Sequence, residues 1–381
     1  MKKILLTALL FCFVVAEDEF FEATTTIGGY GELHYTNSGD PDCEGDDCLN
    51  STKLDFHRWV LFVNHNFTSE WSLKSELEIE HNMIGDNYGG YVELEQAYMN
   101  YHNSNAMWGF GVGTMLISAG ILNERHEPPT FLSVERPVYN SKIIPTTWFG
   151  NGAMVYKSFG DFHAKFILHE DMHGDGMVSL TTNDGDEITG GKFSGLRDGR
   201  AKGYKSTAYH WTKNLAMHWT GMEGVNIGAS YTFGGAPTGF GAVDEDYVAW
   251  NLIEFHGQYD ANNIVATFEY GTTTFTHEAE NTIGVNGTNV KLDDQIASGY
   301  YFHAGYNVAS MMGWEDCKLV PWFGMSSYDL NDLDDDDAIA NTLMGVTWWP
   351  TDHVSLKMDY DMKNDNDSKS NTLSLGVGYM F

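Results

Sequence analysis

Metal ligation, nucleophilic catalysis and anion binding each need particular side chains at particular spacings, and most of those spacings are missing from these 381 residues. Of the 15 histidines, His163 and His169 share a strand parity with Lys165. Six extended residues span about 20 Å, too far for two ligands of one metal. No histidine pair recurs at a two-residue spacing, so no metal site and no cofactor are expected. There is no G-x-S-x-G elbow and no placed Ser/His/acid set, which points away from an enzyme. Asp332 and Asp334 to Asp337 form an acidic run without EF-hand spacing, read first as solvated loop charge. Cys43 and Cys48 bracket a short acidic loop and suit a small disulfide in an oxidising compartment. A CxxxxC metal site would lack a second His or Cys pair. Cys317 is left as a lone thiol.

Charge excludes a further class. The chain carries 53 Asp and Glu against 21 Lys and Arg, a net charge of −32. A polyanion of this size is not a nucleic-acid partner.

The remaining polar residues are informative only through the elements that hold them. Lys2-Lys3, an apolar run from Ile4 to Val15, and Ala16 followed by Glu17-Asp18-Glu19 read as a signal peptide over 1–16. The run is too short to cross a bilayer as a helix. From 17 to 381 the recurring signal is period-two alternation over about ten residues, the pattern of a wall with one oily and one wet face. Trp71, Leu73, Leu77 and Ile79 alternate with Lys74, Glu76, Glu78 and Glu80. Ile227, Ala229, Tyr231 and Phe233 alternate with Gly228, Ser230 and Thr232, and Leu373, Leu375, Val377 and Tyr379 with Ser374, Gly376 and Gly378.

Candidate strands lie at 25–36, 53–67, 70–80, 91–102, 107–117, 152–159, 161–169, 205–220, 224–234, 247–260, 263–275, 298–309, 316–328, 339–349, 352–363 and 371–381. The fold class is therefore all-β, a transmembrane antiparallel β-barrel of 16 strands forming a single domain. Short links near 68–69, 103–106, 160, 221–223, 261–262 and 350–351 fit periplasmic turns. Long polar links at 37–52, 118–151, 170–204, 276–297 and 329–338 fit external loops. Trp348, Trp349, Tyr379 and Phe381 gather at strand ends, as interfacial girdles do. A terminal Phe on an alternating strand also resembles the signal read by barrel-assembly machinery. Location in the bacterial outer membrane follows, with membrane lipid and lipopolysaccharide as partners.

Gly120 to Phe131, running on through Val134-Glu135-Arg136 and Ile143 to Trp148, resembles the phosphate-selective porin O and P family in its broad sense. Gly28 to Glu32, Asp55 to Arg58, Glu93 to Tyr98 and Leu375 to Phe381 resemble it too. The resemblance implies a homotrimeric 16-stranded porin with a constricting loop folded into the lumen, by position within 118–151. Two roles are open to that loop's Glu124, Arg125, His126, Glu127, Glu135 and Arg136. Opposed charges at a constriction orient polar solutes and set ion preference; equally, such residues pin a loop to the wall as buried ion pairs.

Phosphate selection would require several basic side chains converging on the path. The five arginines are Arg58, Arg125, Arg136, Arg197 and Arg200, the last two in an expected external loop. The expected pore-lining row is Lys74, Glu76, Glu78 and Glu80 with Glu93 and Glu95. The reading is passive diffusion of small hydrophilic solutes or ions, weakly cation-preferring or poorly selective. A structural or adhesive barrel acting through its external loops stands as one alternative. A phosphate- or anion-selective porin stands as the other.

Overall fold

The computed structural model describes residues 21–40, 51–85, 89–182, 188–204, 206–238, 247–277, 283–285, 288–333, 338–365 and 369–381. The expected leader at 1–16, Cys43 with Cys48, and Asp334 to Asp337 lie outside them. Cys317 is a free thiol, half-buried.

Sixteen antiparallel strands close into one barrel. In chain order they are β1 (Thr24–Gly39), β2 (Ser51–Asn66), β3 (Trp71–Glu80), β4 (Val92–Asn103), β5 (Trp108–Leu116), β6 (Phe149–Phe159), β7 (Phe162–His169) and β8 (Thr212–Trp219). There follow β9 (Val225–Pro237), β10 (Tyr247–Ala261), β11 (Ile264–Thr276), β12 (Gln295–Tyr306), β13 (Lys318–Asp329), β14 (Ile339–Thr351), β15 (Val354–Asp365) and β16 (Lys369–Met380). Each strand pairs with its sequence neighbour, and β1 closes on β16 from Tyr30 opposite Met380 to Gly39 opposite Asn371. Closure satisfies every ladder internally, which a wall in lipid demands. All sixteen expected strands are present. The eighth begins at Thr212 rather than near 205. Two small hairpins stand in the long connections, Val178–Thr182 with Ile188–Phe193 and Ile283–Val285 with Thr288–Val290. No described helix is long and apolar enough to span a membrane.

Alternation sorts side chains to the two faces. Val155, Met217 and Phe255 are each about half exposed on the outer face, whereas Asn214, Thr232, Glu254 and Glu269 on the inner face are buried. An outer surface this apolar is costly in water and favourable in hydrocarbon. Trp348 points outward, but Trp349 does not join a girdle: it turns inward and its Nε1 donates to Pro129 O at 2.9 Å. Adjacent strand residues face opposite sides, so only one of the pair can reach lipid.

Two bulges break the period where it matters. Glu32 faces Arg58 but Leu33 faces Phe56, so β2 carries His57 as an extra residue. Glu76 faces Gln96 but Leu77 faces Leu94, so β4 carries Glu95 as another. A bulge re-aims side chains without ending the strand.

The segment between β5 and β6 folds into the barrel. Together with the 178–193 hairpin it packs Trp148, Ile143, Ile144, Val178 and Phe193 against inward residues of the β7–β13 wall, among them Ile167, Trp250, Phe275 and Tyr301. One side of the lumen is thus filled by an apolar core.

Candidate functional site

Residues 117–148 cross the lumen and are tied to the wall on every side. The loop is first braced within itself: Asn123 Nδ2 donates to Ile117 O at 2.7 Å and Trp148 O at 2.9 Å, and Trp148 N donates to Asn123 Oδ1 at 2.7 Å. One amide therefore clasps both ends of the excursion. On one flank Glu269 of β11 accepts from Ile121 N at 2.9 Å, while Asn214 of β8 donates to Ser118 O at 3.0 Å. On the opposite flank Thr347 Oγ1 donates to Leu132 O at 2.5 Å, Lys357 Nζ to Ser133 O at 2.8 Å, and Val134 N to Asp359 Oδ2 at 2.6 Å. These wall groups satisfy loop backbone that burial would otherwise strip of water.

The charged pins sit on β1 to β4. Arg58, 1% exposed, donates from Nε to Glu32 Oε1 at 2.5 Å and from Nη2 to His126 O at 2.9 Å. Its Nη1 lies 3.5 Å from Glu78, and the guanidinium sits over the Tyr30 ring at 5.1 Å. His126 Nε2 lies 3.6 Å from Glu76 and 3.5 Å from Glu95, with its Nδ1 3.2 Å from Asn123 O. Burial opposes a charged imidazole there, but the Glu76 and Glu95 carboxylates outweigh it and raise the His126 pKa to about 10. Glu135 is bound to His34 Nδ1 at 2.6 Å, and Glu32 takes that ring's Nε2 at 3.0 Å.

The structure therefore divides the loop residues expected to shape a constriction. His126 is a buried pin. Glu127 is half-buried, its carbonyl accepting from Thr130 N at 2.9 Å. Glu135 leaves about half of its side chain exposed beside His34. Arg125 is exposed, and Glu124 forms an ion pair with Lys165 of β7. The wall row divides in the same way. Glu76, Glu78 and Glu95 face inward, but the loop covers them and each is at most 2% exposed. Glu80 is nearly buried and Glu93 is held by Lys202.

Open space remains along the β3–β8 side. One recess of about 620 Å³ is lined by Glu124, Arg125, Tyr156, His163, Lys165 and His218. Another of about 370 Å³ is lined by Lys74, Gln96, Tyr98, Glu124, Tyr156 and Lys165. The Glu124–Lys165 pair borders both. The groups facing this space are thus mixed, with Lys74, Arg125 and Lys165 set against Glu124.

Two residues escaped the sequence reading. Arg200, expected in an outer loop, reaches the constriction loop and donates from Nη1 to Thr147 O at 2.7 Å. Arg136 donates to Thr147 Oγ1 at 3.2 Å, so two guanidiniums converge on one threonine. Lys165 was seen only as a strand residue. No local spacing announces a contact between segments this far apart.

No family model matches the chain. It is 28% identical over 385 residues to an uncharacterized protein of Aquifex aeolicus (strain VF5), covering 93% of this chain and 80% of that protein. An anion-selective porin from Comamonas acidovorans superposes with a TM-score of 0.60 at 10% identity, over 94% of this chain and all of that one. OmpT of Vibrio cholerae, folded in vitro and in its trimer form, gives 0.57 at 10% identity over 95% and 100% of the two chains. The outer-membrane channel DcaP of Acinetobacter baumannii gives 0.57 at 11% identity over 94% and 97%. At such identities the likeness is one of fold, and the fold is that of an outer-membrane β-barrel.

Proposed function

We propose that the chain is a porin of the bacterial outer membrane through which small hydrophilic solutes and ions diffuse passively. It is exported by its leader and assembles as a homotrimer, as the sequence resemblance implies; one of the structures sharing its fold is described as a trimer. The observation that carries the reading is the loop 117–148, which narrows the lumen while leaving open space bordered by Glu124, Arg125 and Lys165. A loop that served only to seal the barrel would need no charged residues facing water. Expected selectivity is poor, because covered carboxylates on β3 and β4 cannot act on a permeant ion as freely as exposed ones would. The phosphate preference of the resembled family finds limited support in Arg136 and Arg200 at Thr147.

A non-conducting structural barrel is the competing reading, and the apolar core that fills one side of the lumen favours it. Planar-bilayer recordings separate the two. Stepwise conductance in threefold units, altered by Lys165→Glu, supports the channel. Folded protein that inserts without steps would sink it.

A further inference from the structure

Where β1, β2 and β3 approach the external rim, three histidines stand on the inner wall with one carboxylate between two of them. Asp55 Oδ2 lies 3.2 Å from His57 Nδ1 and 2.9 Å from His81 Nδ1. The His57 ring meets His81 edge-on at 5.4 Å and stacks on His34 at 4.9 Å. Backbone irregularity builds the group. The β2 bulge adds His57 beside the inward row, next to Asp55 opposite His34. His81 follows β3 in the left-handed region, φ 53°, while its N–H still bonds His57 O at 3.1 Å. That turn folds its ring back over β2. The side chains of His57, Asp55 and His81 are 21%, 33% and 35% exposed, so ions reach them.

We propose that Asp55, His57 and His81 form a site for a divalent transition-metal ion of the Zn²⁺ class. Two imidazole nitrogens and one carboxylate oxygen are a donor set such ions take, with the remaining positions left to water. Metal bonds near 2.0 Å at tetrahedral angles separate neighbouring donors by roughly 3.3 Å. The two spacings about Asp55 are already 3.2 and 2.9 Å, and the three donor atoms lie within 4.8 Å of one another. Side-chain adjustment alone can close the set. Mg²⁺ and Ca²⁺ prefer all-oxygen shells and are poorly served here. His34 is not a ligand, since Glu135 and Glu32 occupy both its nitrogens. Glu80, 3.8 Å from His81 Nε2, adds negative charge nearby. The site depends on the wall alone and stands whether or not the lumen conducts.

The test uses the full folded chain in detergent, dialysed against Zn²⁺ with Mg²⁺ in large excess. The expected result is Zn²⁺ retained at equal stoichiometry, with affinity falling roughly tenfold or more in His57→Ala and His81→Ala. His353→Ala, in the exposed turn between β14 and β15, should bind as the parent does. Cu²⁺ in place of Zn²⁺ should show nitrogen hyperfine splitting by electron paramagnetic resonance, lost in the double histidine variant. Release of Zn²⁺ to Mg²⁺ overturns the proposal. So does parent-like binding by a His81→Ala protein whose circular dichroism reports an intact barrel. The first outcome leaves only diffuse attraction to carboxylates, and the second assigns the ion to other side chains.

Discussion

At the scale of single residues, the arrangement turns on how a buried acid cluster is kept tolerable. Glu32, Glu76, Glu78 and Glu95 are all at most 2% exposed; Arg58 and His126 lie among them, and His34 is bonded to Glu32. Burying carboxylates without partners costs several kcal/mol each, so these basic partners are required for the loop to lie where it does. Arg58 stays charged at any accessible pH, which makes His126 the adjustable member on the loop itself. Its folded pKa, about 10, exceeds the value near 6.5 of an unfolded histidine. Protonation therefore stabilises the folded state fully below about pH 6.5, and that contribution fades as pH rises through about 10. Thermal unfolding in detergent between roughly pH 7 and pH 10.5 should show the parent losing stability relative to His126→Gln. Two parallel curves across that window would assign the pinning to Arg58 alone.

At the scale of elements, the loop is held as much by what the wall omits as by what it offers. A Cβ added to Gly378 of β16 would stand 2.3 Å from Pro128 Cβ, and one added to Gly376 would stand 2.8 Å from Val134 Cγ1. These glycines make the strip on which the loop rests. Gly378→Val suits an extended strand, so the barrel should still form, but Pro128 must move off the wall. The expected outcome is faster tryptic cleavage at Arg125 and Lys142, with the electrophoretic mobility of the folded barrel retained. Unchanged cleavage would mean that the strip is incidental.

Legibility follows the same division. The sixteen strands could be read because each carries its two faces in its own ten residues. The alternation put Lys74, Glu76, Glu78 and Glu80 on one face of β3. It could not show that a loop some fifty residues downstream covers three of the expected acids, nor that Arg200 reaches Thr147. It also missed His57, because a bulge breaks the parity on which such reading relies.

At the scale of the whole molecule, the proposed channel sets two fields of opposite sign in competition for a permeant ion. The chain as a whole carries −32, while the open space beneath the loop shows Lys74, Arg125 and Lys165 against Glu124. Their ranges differ. The overall charge acts across tens of ångströms and is screened first, over a Debye length of about 10 Å at 0.1 M salt and about 3 Å at 1 M. The groups beside the path act at contact distance and persist. Reversal potentials under a fixed salt ratio should therefore show cation preference at low ionic strength. They should fall toward zero, or slightly past it to the anion side, as both solutions are raised toward 1 M. Lys165→Glu should abolish that drift by giving the local field the sign of the global one. A preference for cations that holds its size at every salt concentration would place exposed carboxylates on the path, and the covered acids of β3 and β4 would have to be uncovered in the conducting state.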